Sequence, residues 1–363
     1  MWLEKIMRPG SDFLGVRYPI VSGGMTWLSD SSLVKAVHDQ GGFGVLAGGN
    51  MPPDALEKEI ETCQNELSGP FAVNLITIAP NFRSQMAVVC RKKPPFVIFA
   101  GNFPHKRDVQ EVKEAGCKAI AFASTMSIAE QQIRYGVDAL ILEGSEAGGH
   151  IGQVSLVILL QQVLFESPSV PVFVAGGVAT GRMVAHLLMM GASGVQMGTR
   201  FVMSEECRAH PRFKAAFVKA RAREAVATPT YDRRLPVVAV RAIRNAGLDE
   251  FNQLQLDLLS KLNAGEIRRE EAQIRVEEFW VGGLRKAVQE GDVERGSLMA
   301  GQSVGLVDKV QPMAEIFSEI LHDAEAELSR VAMLFGVHTP DITPDRYHAP
   351  FHERGRSTGS RTP

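Results

Sequence analysis

Between about Tyr18 and Ala220 the chain repeats one pattern eight times: a short apolar run followed by an amphipathic segment. The apolar runs are Pro19–Met25, Gly42–Gly49, Phe71–Thr77, Phe96–Gly101, Lys118–Ser124, Ala139–Glu143, Val170–Ala175 and Gly194–Phe201. The segments after them are Asp30–Gln40, Pro53–Leu67, Asn81–Arg91, Lys106–Ala115, Ser127–Tyr135, Val154–Phe165, Thr180–Met190 and His210–Ala220. Runs rich in Val, Ile and Phe suit strands buried on both faces, hence a parallel sheet covered by helices. Eight such units close naturally into a TIM (β/α)8 barrel of the α/β class. A doubly wound open sheet competes, but it rarely needs eight units of this regular length, and it places its best phosphate loop after the first strand. Asp30, Ser31, Ser32 and Ser127 are residue types that cap helix starts, and Pro53-Asp54 suits a first turn. Gly41-Gly42, Gly116, Gly136 and Gly191 each stand between a helix and a strand, where a helix is commonly stopped.

Past Ala220 the alternation ends. The chain divides into a barrel over 1–220, a helical lobe or lid over 221–295, a return to the barrel with a closing helix over 296–335, and a disordered tail over 336–363. Leu248–Leu262 and Glu266–Glu290 read as charged helices of the lobe, Gly301–Val307 as barrel-like text, and Met313–Leu334 as the closing helix.

Bulk properties exclude several function classes. A net charge of -2 does not point to nucleic acid or to an anionic membrane surface. Cys63, Cys90, Cys117 and Cys207 lie far apart, with no ligand spacing for zinc, so no metal is expected. Scattered thiols fit packing roles in a reducing cytoplasm. The start Met1-Trp2-Leu3-Glu4-Lys5 lacks signal-peptide order, and no apolar run is long enough to span a bilayer.

The chemistry concentrates at strand ends. Glu143-Gly144-Ser145-Glu146-Ala147-Gly148-Gly149-His150-Ile151-Gly152 joins the sixth strand to its helix. Its glycines let a backbone approach a flat or phosphorylated ligand, and His150 can exchange a proton near neutral pH. Glu146 is a candidate for bonding loop N–H groups, and Glu143 for meeting a sugar hydroxyl. Gly176-Gly177 after the seventh strand and Gly198-Thr199 on the eighth occupy the loops that commonly bind phosphate in this fold. Gly23-Gly24-Met25 ends the first strand. Asn74 is a polar side chain inside the third run and needs a partner. Arg221, Arg223, Arg233, Arg234, Arg241 and Arg244 make a basic stretch, read either as a solvated, salt-bridged surface or as a dock for a phosphate or an acidic carrier protein.

Together, Gly23-Gly24-Met25, Glu146-Ala147-Gly148-Gly149-His150, Ala175-Gly176-Gly177-Val178 and Gln196-Met197-Gly198-Thr199-Arg200-Phe201 resemble the nitronate monooxygenase (2-nitropropane dioxygenase) family. That family includes the flavin-dependent enoyl-acyl-carrier-protein reductases of the second type. The resemblance implies a TIM barrel, non-covalent FMN and a histidine beside the flavin ring. By that likeness His150 is the catalytic residue, and Gly176, Gly177, Gly198 and Thr199 hold the FMN phosphate. Gly23, Gly24, Met25, Asn74, Glu143, Gln196 and Gly149 line the ring and ribityl chain. The leading expectation is oxidation of alkyl nitronates with O2 to a carbonyl compound and nitrite. The alternative is reduction of enoyl thioesters with NADH or NADPH, with an acyl carrier protein as partner. Gly23-Gly24-Met25-Thr26-Trp27 and Gly296–Gln302 look more like the reductase branch. A small-molecule substrate is common to both readings, and the lobe is a candidate lid or homodimer contact. A barrel that binds a phosphorylated ligand without catalysis is the third reading.

Overall fold

The structure, a computed structural model, describes residues 2–166, 168–232, 234–235 and 239–336. The strands in chain order are β1 (Ile20–Ser22), β2 (Val45–Ala47), β3 (Ala72–Ile76), β4 (Phe96–Ala100), β5 (Lys118–Ala123), β6 (Ala139–Glu143), β7 (Gly149–His150), β8 (Val172–Ala175), β9 (Gly194–Met197), β10 (Ala225–Ala227) and β11 (Val240–Ile243). Eight of them form one parallel sheet in the order β1-β9-β8-β6-β5-β4-β3-β2. Its two ends meet through a parallel bridge between Val21 and Phe43, which closes the TIM barrel.

Period two along each strand divides the core in two. Phe96, Ile98, Ala139, Ile141 and Phe173 fill the barrel interior, whereas Val97, Phe99, Leu140 and Leu142 pack outward against the helices. An N-terminal helix that the sequence pattern did not reveal, Trp2–Leu14, closes one end of the interior. Its Phe13 ring lies 5.6 Å from Phe96 and 6.0 Å from Phe173. The start of that helix is tied to the closing helix: Glu325 accepts from the Trp2 and Leu3 N–H groups at 3.0 and 2.9 Å.

The caps follow the local chemistry. Asp30 accepts from the N–H of Leu33, and Thr180 from that of Met183. Thr125, rather than Ser127, caps the fifth barrel helix, which starts at Met126. Gly41, Gly116, Gly136 and Gly191 all have positive φ, as a glycine stop requires. Two boundaries move. The eighth strand ends at Met197, because Thr199–Val202 turns into a short helix. The helix after β7 runs over Leu156–Gln162 and tightens into a 3-10 turn at Leu164–Glu166.

The lobe helices are Ala246–Asn263 and Arg269–Arg285, held by a small core of Phe251, Val276 and Trp280. The Arg221–Asn245 stretch is less irregular than its composition implies. It supplies β10 and β11, which form a three-stranded antiparallel sheet with β7. Gly301–Val307 does not re-enter the barrel as a strand; Gln302–Leu306 is a 3-10 turn. Met313–Leu334 is the closing helix. Residues 337–363 of the expected tail lie outside the described residues.

Gly181 opens the helix Gly181–Met189, where a Cβ would stand 2.1 Å from the carbonyl oxygen of Ile320 in the closing helix. Gly181→Ala should therefore push these two helices apart and cost about 2 kcal/mol. Urea unfolding checks this; a loss below about 0.5 kcal/mol would show that the contact is not tight.

Candidate active site

A cavity of about 1060 Å³ opens over the carboxyl ends of the barrel strands. That is the upper end of the usual range for small-molecule sites. Gly23, Gly24, Met25, Asn74, Glu143, Gly149, His150, Gly176, Gly177, Gln196, Gly198 and Thr199 all line it. The barrel brings them together because each sits within or just past the carboxyl half of a barrel strand or on the loop that follows it.

The turn after β8 is built from backbone that only glycine adopts easily. Gly176 and Gly177 have φ of +93° and +74°. A Cβ on Gly176 would also meet the Gly144 carbonyl oxygen at 2.9 Å. On the opposite wall, Gly24 leaves room for Asn74; a Cβ there would come within 2.6 Å of the Asn74 Cβ. Thr199 Oγ1 accepts from the N–H of Gly301 at 3.0 Å, tethering the 3-10 turn above β9, and its own proton remains to be donated.

The loop that carries His150 is anchored from three sides. Glu146 accepts from the N–H of Leu156 at 3.0 Å, so it caps the following helix and leaves the ligand space free. Arg241 donates to the carbonyl oxygens of Ser145 and Ala225 at 2.9 and 2.6 Å. Antiparallel pairing sets His150 opposite Val240, and the Ile151 N–H donates to the Ala239 carbonyl oxygen at 2.9 Å.

The basic stretch divides by role. Arg241 is half-buried and structural. Arg234 is paired with Asp232, and Arg244 lies 3.9 Å from Asp249. Arg221 and Arg223 are exposed, and Arg233 lies outside the described residues. The buried thiols are poor nucleophiles, since burial pushes Cys63 up to about 12 and Cys117 up to about 11. Among the described residues no group of three His, Cys, Asp or Glu side chains is arranged to hold a metal ion. Among the same residues no helix is long and apolar enough to cross a membrane.

Several polar side chains in the cavity lack firm protein partners, Asn74, Glu143 and Gln196 among them. Asn74 has only a long 3.5 Å contact from Nδ2 to the Ile98 carbonyl oxygen. Glu143 and Gln196 make no side-chain hydrogen bond among the described residues. Burial pushes the Glu143 carboxyl from its ordinary 4.5 up to about 8. Polar groups left this way belong with a ligand that carries its own donors and acceptors.

The roof was not legible in the sequence. Helix Arg269–Arg285 lays Glu270, Ile274, Glu277, Val281 and Arg285 along the cavity, and Trp27, Met299 and Ser303 complete the wall. Spacings of three and four put those helix residues on one face. In the sequence, nothing says what that face opposes.

Residues 8–82 and 76–323 match the nitronate monooxygenase family. The chain belongs to the nitronate monooxygenase family. It is thus an enzyme, an oxidoreductase of a flavin-dependent family that acts on small molecules. FabK from Thermotoga maritima is 36% identical over 89% of this chain and 98% of its own, with a TM-score of 0.79. A relative from Mycobacterium tuberculosis is 28% identical, covering 91% of this chain and 99% of its own. It is named (3aS,4S,5R,7aS)-5-hydroxy-7a-methyl-1-oxo-octahydro-1H-indene-4-carboxyl-CoA dehydrogenase. A probable nitronate monooxygenase from Staphylococcus aureus is 26% identical over 86% of this chain and 96% of its own. The cavity fits the family's flavin: glycine turns stand at one end, and unpartnered Asn74, Glu143 and Gln196 line the rest.

Glu143 has a pH signature. Its folded value, about 8, lies above the ordinary 4.5, so the folded chain keeps a proton that the unfolded chain releases. The resulting stability is fully present below pH 4.5 and is lost as pH rises through about 8. In flavin-free protein, Glu143→Gln should melt near the wild type at acidic pH and above it at alkaline pH. Melting curves of the two proteins that stay parallel across this window would refute the assignment.

Proposed function

We propose that this chain binds FMN in the cavity and reduces the double bond of an α,β-unsaturated acyl thioester with NADH or NADPH. This is the second of the two readings the motifs leave open. The charge of the lining carries it. Glu270, Glu277 and Glu278 face the cavity from the roof, against Arg285. An alkyl nitronate is an anion and would enter against that field, whereas the reacting end of an enoyl thioester is neutral. Ile76, Ile78, Phe103 and Phe122 offer an apolar wall for an acyl chain. The M. tuberculosis relative, named for a carboxyl-CoA substrate, supports a thioester.

Gly176, Gly177, Gly198 and Thr199 would hold the FMN phosphate through backbone N–H groups and the Thr199 hydroxyl. Gly23, Gly24, Met25, Asn74, Gly149 and Gln196 would seat the ring and ribityl chain. Glu143, protonated at neutral pH, would donate to a ribityl oxygen. When bound, the flavin supplies hydride transfer from the nicotinamide to the β-carbon of the substrate. The chain's own task is to place the substrate, exclude water and give a proton to the α-carbon; His150 has the position and the chemistry for that. The exposed Arg221 and Arg223 would meet an acyl carrier protein, should the thioester arrive on one.

Nitronate oxidation is the second reading. It has in its favour the family match and an imidazole beside a carboxylate, which suits taking a proton from the carbon next to a nitro group. Two assays decide between them. NADH added under nitrogen should bleach the flavin, and crotonyl thioester should restore its colour. Nitrite released from ethylnitronate in air, without NADH-driven bleaching, would overturn the reductase reading. His150→Ala should keep the flavin and lose turnover by about two orders of magnitude. Gly177→Asp should lose the flavin, through strain at φ +74° and like charge beside the phosphate. Visible absorbance after gel filtration separates the two variants.

A further inference from the structure

His150 Nε2 is buried and has no hydrogen-bond partner among the described residues. The nearest ionic group is Glu277 of the lobe, with Oε2 at 3.6 Å. The two side chains are 23% and 17% exposed, so their attraction is weakly screened. Glu277 has no lysine or arginine partner among the described residues; its one ion pair is to this imidazole. The other ionisable groups on the cavity are Glu143, Glu270, Glu278 and Arg285, and none lies within ion-pair distance of the ring. The second ring nitrogen, Nδ1, makes no hydrogen bond to the described protein either. Meanwhile the backbone of His150 is pinned by its pairing with Val240 and by Arg241, so the ring can be aimed only through its side-chain torsions.

We propose that Glu277 is the positioning residue for His150: its carboxylate takes the Nε2 proton as a hydrogen bond and leaves Nδ1 to exchange a proton with the substrate. The present gap is about 0.7 Å longer than a charge-assisted bond, which small torsion changes at both side chains close. The step balances. The Nδ1–H bond of the imidazolium breaks, a C–H bond forms at the α-carbon of the hydride-reduced thioester, and the ring is left neutral with Nε2–H on Glu277. The source of the hydride is the reduced nicotinamide, through the bound flavin. Because Glu277 stands on the lobe and His150 on the barrel loop, the ring is correctly aimed only when the lobe covers the cavity. This inference rests on the reading of His150 as the proton-exchanging residue.

The test uses Glu277→Gln, which keeps the shape and removes the charge. Glu271→Gln is the control: it lies on the same helix, off the cavity, paired with Arg275. In flavin-free protein, the ring 15N shifts of His150, assigned by their loss in His150→Ala, report which ring nitrogen carries the proton. In Glu277→Gln the Nε2–H form should lose its preference, and the two ring 15N shifts should move toward each other. In the FMN-loaded enzyme, kcat should fall by about tenfold or more with KM within about twofold. Turnover is measured with whichever of crotonyl thioester or ethylnitronate the wild type accepts. Glu271→Gln should move neither quantity. A Glu277→Gln protein that matches this control in either the ring signals or kcat overturns the proposal. Full turnover by His150→Ala overturns it as well, and that result alone also removes the reading of the site. Loss of turnover in His150→Ala with none in Glu277→Gln removes only the role of Glu277.

Discussion

Closure of the eight parallel strands is the constraint on which the rest depends. Strands as short as Ile20–Ser22 and Val45–Ala47 have unpaired backbone groups on both sides until neighbours supply the partners. The Val21–Phe43 bridge provides the last pairing. Once closed, the barrel has an interior with room only for packed side chains, and Phe13, Phe43, Phe96 and Phe173 fill its lower half. With one end plugged by the N-terminal helix, a ligand has access only from the other. Every residue with chemistry to offer therefore accumulates at the carboxyl ends of the strands.

A second constraint acts on that end. The loop after β6 is rich in glycine and would move freely if left alone. Its pairing with β11 removes that freedom and sets His150 at a defined place on the wall. The same pairing joins the barrel to the lobe, since β11 leads straight into helix Ala246–Asn263. The roof over the cavity and the loop in its wall are thus parts of one connected unit. Lobe and barrel meet at the cavity where Glu277 faces His150.

Electrostatics narrows what such a cavity can receive. Carboxylates outnumber cations on its lining, and partial burial raises the Glu143 carboxyl to about 8. A site of this kind favours neutral reacting groups and hydrogen-bond acceptors. In the proposed reading, the backbone turns at Gly176-Gly177 and Gly198-Thr199 receive the anionic tail of the cofactor.

Local chemistry was enough to read much of this. Strand–helix alternation, glycine stops such as Gly136, the cap at Asp30 and the closing helix Met313–Leu334 depend on residues a few positions apart, so the sequence alone determined them. The glycine turns and polar residues lining the cavity were legible for the same reason: barrel topology carries every strand end to one mouth. Trp2–Leu14 was missed because Pro9 interrupts its pattern and its buried face is set by the barrel floor. β10 and β11 were missed because they are only three and four residues long, and the strand that ties β11 to the barrel loop, Gly149–His150, lies some ninety positions away. Glu277 and Trp280 reach the cavity only because the lobe folds back over it. Tertiary structure alone decided those placements, since they come from contacts between segments remote in sequence, and local propensity carries no record of which distant surface a helix face will meet.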